Sequence, residues 1–453
     1  MKIEKLIKKC DLKTNSKDIK KGDIFFCALG GYDKNKYIPD AIKKGCRLVI
    51  TDKDIKDKVK YLKHDNLSLY LKELLDLKYQ FPLKNKKLIG VTGTDGKTTT
   101  VTIIRDMLDG ASIGTNGVEF NDYHKEIRNT TPSLDELYKY FDIINQKKLD
   151  NIVMEVSSES YLTERIPELK FDIGIFLNIS NEHLDKHKSF LNYLECKKKL
   201  LLNSKIKIIN RDSRYFNYLK DGLQNYLTFG YKKGDLKVLK YQLFFNKTTI
   251  WFKYQKKKYK IDSPLTGKYN IDNLMASILC LIALGYKIDD IIKRIKLIKT
   301  IPGRMELLNI KNYHVLIDYA HTEHATKEVF RFVKKFQKNI ITVLGCAGGR
   351  YKEKRPLIGK YACKYSKTVI FTSDDPRNEN PSEIIKEMLS QTKKKNYYII
   401  INRKEAIKTA LNIAKKNDLI LILGKGRDNY MAILDKKIPY SDIDVIKEFV
   451  KIV

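Results

Sequence analysis

The segment "LIGVTGTDGKTTTVTIIRDMLDG", residues 88–110, joins an apolar run to a helix-forming run through a glycine-rich turn. A strand that ends in such a turn and opens a helix presents several backbone N–H groups, and the positive end of the helix dipole, to phosphate oxygens. Gly93, Thr94, Asp95 and Gly96 make the turn, Lys97 adds a mobile cation for the β and γ phosphates, Thr98 offers a hydroxyl to Mg²⁺, and Thr99 follows it. The common nucleotide loop has glycine six residues before its lysine, but here that position is Val91 and the glycines stand at 90, 93 and 96. The chemistry expected is binding of ATP with a divalent ion, by a loop of uncommon spacing.

The elements that must position this loop are legible as alternating strand-like and helix-like runs. "LIGVTG", "NIVMEVSS", "FDIGIFLNI" and "KIKIIN" read as strands, with "TTVTIIRDMLD" and "SLDELYKYFDIINQKK" as helices, which is the pattern of a parallel sheet covered on both faces. Before it, "GDIFFCAL", "YIPDAIKKG" and "RLVIT" form a small α/β unit. A β-rich insertion is expected over about 225–262. After "TIPGRMELL" the alternation restarts with "HVLIDYA", "IITVLGCAG", "TVIFTSD", "YYIII" and "LILILGKG". The expected organisation is three α/β domains, 1–85, 86–300 and 301–453.

Composition narrows the function classes. With 43% hydrophobic residues over 453 positions, the chain buries cores and is not disordered. The formal charge of +34 comes from lysines spread from Lys2 to Lys451, which points away from a nucleic-acid reading surface. The seven cysteines, at 10, 27, 46, 196, 280, 346 and 363, form no C-x-x-C pair, so reduced thiols in the cytoplasm are expected. "MKIEKLIKKC" lacks a signal-peptide core and "LMASILCLIALGY" falls short of a membrane span, so no membrane insertion is expected. His64 and His187 are read as surface residues.

The spacing in "GVTGTDGKTT" resembles that of the Mur ligases, the ATP-dependent enzymes that extend the peptide of the bacterial cell-wall precursor. Folylpolyglutamate synthetases share that ancestry but usually carry Gly after the loop lysine, where this chain has Thr98. The resemblance continues in order along the chain. It implies a small UDP-binding α/β domain, a central P-loop ATPase-like domain with a parallel sheet, and a Rossmann-like C-terminal domain. It also implies ATP and Mg²⁺, with Glu155 of "VMEVSS", His183 of "NISNEHLDKH" and Thr98 as metal ligands, and Lys197 of "YLECKKKLL" carbamylated as a further one. A carboxylate at a strand end beside the phosphate loop suits Mg²⁺, which prefers oxygen ligands. Asn270 and Asn273 of "YNIDN", Arg304 of "IPGRME" and Asp318 of "IDYAHT" are implied contacts to the nucleotide; by itself "YNIDN" reads as a helix cap. The implied reaction is attack of a substrate carboxylate on the γ-phosphate, then of an amine on the acyl phosphate, with no protein nucleophile.

For the acceptor, implied to be UDP-N-acetylmuramoyl-L-alanyl-D-glutamate, the matching positions are Ser16, Thr130, Thr131, Ser158 and Arg165. The family's usual Asp-Ser-Arg is here Asn15-Ser16-Lys17, and the His it often has after "EVSS" is Glu159. For the incoming free diamino acid the run is Asp374, Asp375, Pro376 and Arg377, where diaminopimelate-adding members usually read Asp-Asn-Pro-Arg; Asp375 would suit an ammonium. Arg377 and Arg350 suit a distal carboxylate, favouring diaminopimelate or lanthionine over lysine. Gly424 and Asp428 complete the set, in a motif whose acid is typically Glu. A monomer is expected. Two other readings stay open: a Mur-like ligase joining a different acid and amine, and a basic binding protein with a decayed site.

Overall fold

A computed structural model describes residues 3–27, 34–56, 59–166, 168–310 and 313–452. Three larger sheets follow one another along the chain, and Tyr430–Ile433 pairs with Lys436–Pro439 in a two-stranded fourth. The first is all parallel, in the order Leu12–Lys13, Ile24–Phe26, Leu48–Thr51, Tyr61–Lys63. The "AL" end of "GDIFFCAL" and the glycines after it lie outside the described residues. Apolar packing runs without a break from Ile24 and Leu71 into Leu137 and Phe141. The first unit is thus seated on the second.

The second sheet has eleven strands, with Lys87–Thr92 between Asn151–Glu155 and Phe171–Phe176, all parallel. Because the chain leaves the central strand first to one side and then to the other, a crevice opens beyond the carboxyl ends of these strands. Val91 lies opposite Glu155 and Thr92 opposite Phe176. The phosphate turn, Glu155 and the segment bearing His183 therefore emerge at one edge. Three strands were not legible beforehand: Ala111–Gly114, parallel to Asn151–Glu155, and the antiparallel strands Gly117–Phe120 and Tyr123–Lys125 that end the sheet. The expected insertion over 225–262 is β-rich, but it is no separate lobe. Tyr226–Gly230 pairs in parallel with Ser204–Asn210, and Leu236–Leu243, Thr248–Tyr254 and Lys257–Ser263 extend the same sheet. Val238, Ile250, Phe252 and Ile261 alternate inward along these strands and share a core with Leu274, Ile278 and Leu281. That explains the long apolar run: the helix Lys268–Ala283 is buried on nearly every side. Among the described residues no helix is long and apolar enough to cross a membrane.

The third sheet runs Glu306–Ile310, Tyr313–Asp318, Leu419–Leu423, Ile340–Leu344, Thr368–Phe371, Tyr397–Ile399, parallel except for its first pair. Asp318 and Leu344 both lie opposite Leu423, so Asp318, Gly424 and the turn holding Asp374 share its carboxyl edge. Arg403 braces that edge from below. Its Nη2 donates to Asp442 Oδ2 at 2.8 Å and to Leu423 O at 2.9 Å, its Nε donates to Asp442 Oδ1 at 2.9 Å, and both side chains are wholly buried. Arg403→Met leaves the Asp442 carboxylate buried and unpaired. It is expected to destabilise by about 3–5 kcal/mol in chemical denaturation, and Arg403→Met combined with Asp442→Leu by clearly less.

Candidate active site

Asn178, at the end of the strand beside the phosphate loop, fixes the loop's shape: its Oδ1 accepts from Thr94 N at 3.1 Å and Asp95 N at 2.9 Å, and its Nδ2 donates to Asp95 O at 3.0 Å. Gly96 precedes the helix Lys97–Leu108 at φ +87°, and a Cβ there would collide with Asn273 Oδ1. Gly96→Ala therefore forces strain and a steric clash together. It is expected to weaken ADP binding at least ~10-fold by calorimetry and to lower Tm by several degrees.

Lys97 Nζ curls back onto Gly93 O and Thr94 O, each at 2.9 Å, and burial holds its ammonium below the usual lysine range. A polyphosphate is a better partner than two carbonyls already turned toward the loop. Thr98 Oγ1 donates to Glu155 Oε1 at 2.9 Å, and Glu155 also accepts from Thr115 N at 2.7 Å, beside Gly114, where any Cβ would strike it. Lys197 is buried, with Nζ donating to Gly93 O at 2.7 Å and lying 4.7 Å over the Tyr193 ring; burial, then the Lys97 charge, push its ammonium well below the ordinary range. His183 sits in the left-handed region at φ +58°. Hydroxyl, carboxylate and imidazole are a sound donor set for Mg²⁺. Among the described residues no group of three His, Cys, Asp or Glu forms a complete cage, as expected of an ion that takes most of its oxygens from the nucleotide.

The third domain closes over this loop. Arg304 Nη2 donates to Thr98 Oγ1 at 3.2 Å while its guanidinium lies 4.3 Å over the Tyr319 ring. Thr322 Oγ1 reaches Asp95 Oδ1 at 3.2 Å, and a buried pair joins Lys354 Nζ to Glu182 Oε1 at 2.8 Å. Asp318 accepts from Met305 N and Ala320 N, both at 2.8 Å, and burial raises its carboxyl.

A cavity of about 460 Å³ brings together Thr94 to Thr99, Glu155, His183, Asn273, Arg304, Asp318, Arg350, Asp374, Asp375, Arg377, Gly424 and Asp428. A second, of about 550 Å³, shares Lys97, Thr130, His183, Arg304, Arg350, Asp375, Arg377 and Asp428 and adds Ser158, Arg165 and Lys197. Arg165 also lines a third, of about 1380 Å³, with Asn15, Ser16, Lys17 and Arg128. A continuous path thus links the first domain to the phosphate loop. Gly93, Thr131, Asn270 and Pro376 line none of these cavities. Thr131 is buried, its Oγ1 donating to Glu155 O at 2.8 Å and accepting from Ser157 N at 2.9 Å. Asn270 donates to Thr266 O at 2.6 Å and accepts from Asn273 Nδ2 at 3.0 Å. It is no helix cap either, because Gly267 holds that position.

The ammonium that Asp375 suits is the protein's own. Lys425 Nζ lies 2.8 Å from Asp375 Oδ1, 3.8 Å from Asp374 and 3.5 Å from Asp428, and burial pushes the Asp428 carboxyl up to about 6. Lys425 was passed over in the sequence, although the glycines on either side of it were a signal. Arg377, at φ +49°, donates through Nη1 to Gly348 O at 2.7 Å; burial, then the Arg350 charge, lower its pKa. His187 is a correction: it is buried, not on the surface, with Nε2 2.9 Å from Ser158 Oγ.

Comparison with known proteins agrees with this architecture. The "Mur ligase middle domain" matches residues 91–281 and the "Mur ligase, glutamate ligase domain" residues 303–426. A UDP-N-acetylmuramoyl-L-alanyl-D-glutamate–2,6-diaminopimelate ligase of Clostridium tetani is 36% identical, covering 97% of this chain and 94% of the relative. The chain belongs to the Mur ligase family. A ligase of the same name from Rickettsia montanensis is 37% identical over 97% of this chain and 96% of its own length. Among Mur ligase structures, a UDP-N-acetylmuramoyl-L-alanyl-D-glutamate–2,6-diaminopimelate ligase superposes with TM-score 0.67 at 23% identity, covering 98% of this chain and 94% of that one. The MurF ligase of Thermotoga maritima in complex with ADP gives TM-score 0.67 at 19% identity, covering 98% of each chain. Both share the three-domain α/β fold. As a Mur ligase, the protein is an ATP-dependent, ADP-forming enzyme of the family that uses Mg²⁺.

Proposed function

We propose that the protein joins a dicarboxylic diamine, meso-diaminopimelate or its sulfur analogue lanthionine, to the glutamyl carboxylate of UDP-N-acetylmuramoyl-L-alanyl-D-glutamate in peptidoglycan precursor synthesis. The observation that carries this reading is the charge arrangement around Lys425. Asp375 is already paired with that lysine, whereas Arg377 and Arg350 face the same cavity with one side-chain hydrogen bond between them among the described residues, to the Gly348 carbonyl. Two guanidiniums of this kind call for a carboxylate on the incoming amine. The names of the relatives point the same way.

Lys97 and the loop amides hold the triphosphate, with Asn273, Arg304 and Asp318 on the rest of the nucleotide. Thr98, Glu155 and His183 hold Mg²⁺, which when bound neutralises charge on the transferring phosphoryl group. Burial favours the neutral amine of Lys197, the form that adds CO₂, so a carbamate there joins this ligand set. Ser16, Thr130, Ser158 and Arg165 bind the UDP-sugar dipeptide along the path between cavities. The acceptor carboxylate attacks the γ-phosphorus and ADP leaves; the amine then attacks the acyl carbon, and phosphate departs with one former carboxylate oxygen. The contacts of Arg304, Thr322 and Lys354 across the cleft exclude water while the acyl phosphate exists. We assign the three domains to 1–85, 86–300 and 301–453, and a monomer acting in the cytoplasm.

ADP release tests the reading. It should require both the UDP-linked dipeptide and a diamine, with diaminopimelate or lanthionine supporting turnover at least ~10-fold better than lysine. Steady ADP release that ignores the dipeptide would defeat it.

A further inference from the structure

Two side chains able to bind metal stand side by side in the reaction cavity without satisfying one another. Glu159 Oε1 lies 3.8 Å from His183 Nδ1, and about a third of each side chain is exposed. Both line the acceptor cavity, and His183 lines the nucleotide cavity as well, so the pair stands where the two meet. Among the described residues, neither the carboxylate nor the imidazole makes a hydrogen bond. The gap is too long for one. It is shorter than two metal–ligand bonds of about 2.1 Å placed end to end, so one ion can touch both groups.

The backbone holds this pairing in place. Glu159 lies in the first turn of the helix Ser158–Leu162, just beyond the strand that ends in Glu155. His183 is fixed at φ +58° ahead of the turn Leu184–His187, and buried His187 anchors that turn to Ser158 at 2.9 Å. Arg165 lines the same cavity and its charge acts on Glu159 without a hydrogen bond between them, so a further cation beside the carboxylate would ease its repulsion of the acceptor carboxylate and the triphosphate.

We propose that Glu159 and His183 together form a divalent-cation position on the acceptor side of the site, with Glu159 as an oxygen ligand specific to chains that carry a carboxylate here. This rests on the reading of His183 as a metal ligand. Replacing imidazole by carboxylate at this position hardens the donor set, so Mg²⁺ and Mn²⁺ are favoured over softer ions.

Mn²⁺ titration of the whole protein in saturating ADP, followed by electron paramagnetic resonance, tests it. Glu159→Gln is expected to raise the Mn²⁺ dissociation constant at least ~10-fold and Glu159→Asp to raise it less, each with an unchanged unfolding curve. His183→Gln should weaken the same ion. Mn²⁺ affinity unchanged in Glu159→Gln but weakened in His183→Gln would overturn the role of Glu159 and leave that of His183 standing. Unchanged affinity in both variants would overturn the two together. Unchanged Mn²⁺ affinity in Glu159→Gln with a raised KM for the UDP-linked dipeptide would make Glu159 a peptide contact instead, and equally overturn the proposal.

Discussion

Lys97→Met should lower kcat for ADP release by at least ~10³-fold with little change in Tm. The reason lies in what the side chain does before nucleotide arrives. Its ammonium is half-buried and held by only two loop carbonyls at 2.9 Å, so folding gains little from it, whereas the γ-phosphoryl group builds negative charge within its reach. Methionine fills the same space without the charge. Arginine does not substitute, since its planar fork cannot follow the loop as a compact ammonium does. A variant within tenfold of the parent would mean that Lys97 does not touch the transferring group.

Arg377→Met is the second large effect. kcat/KM for meso-diaminopimelate should fall about 10²–10³-fold, because a distal carboxylate would enter the cavity without its partner. Turnover with lysine should stay the same or rise. The selectivity between the two amines thus collapses, which separates loss of recognition from general damage. Arg350→Met should act in the same direction, as Arg350 lines the same two cavities as Arg377. An equal fall for both amines would remove Arg377 from amine recognition.

Much of the fold was readable because its signals are local. The phosphate turn, its flanking strand and its helix lie within residues 88–110, and their chemistry is that of neighbouring backbone amides. Glu155, His183, Arg304 and Asp318 were reachable only through family resemblance, since nothing near them in sequence states that these distant segments meet. What could not be read depends on distant partners. Lys425 pairs with a carboxylate fifty residues away, and Lys354 with Glu182 at a separation of 172. His187 looked like a solvent-facing residue of a short polar stretch, and only Ser158, 29 positions earlier, shows that it is buried. Thr131 and Asn270 stand next to cavity residues in sequence, yet each turns its polar atoms inward. The segment of about 225–262 was legible as β-rich, but not as part of the central sheet, because nothing local in its sequence marks the sheet that it extends.

The most direct test follows oxygen. UDP-N-acetylmuramoyl-L-alanyl-D-glutamate with ¹⁸O in its glutamyl carboxylate is turned over with ATP, Mg²⁺ and meso-diaminopimelate, and the products are read by mass spectrometry. The account predicts one amide and one ADP per turnover, with one ¹⁸O carried from the carboxylate into inorganic phosphate. Amide formation with unlabelled phosphate, or ADP release with the acceptor unchanged, would contradict it.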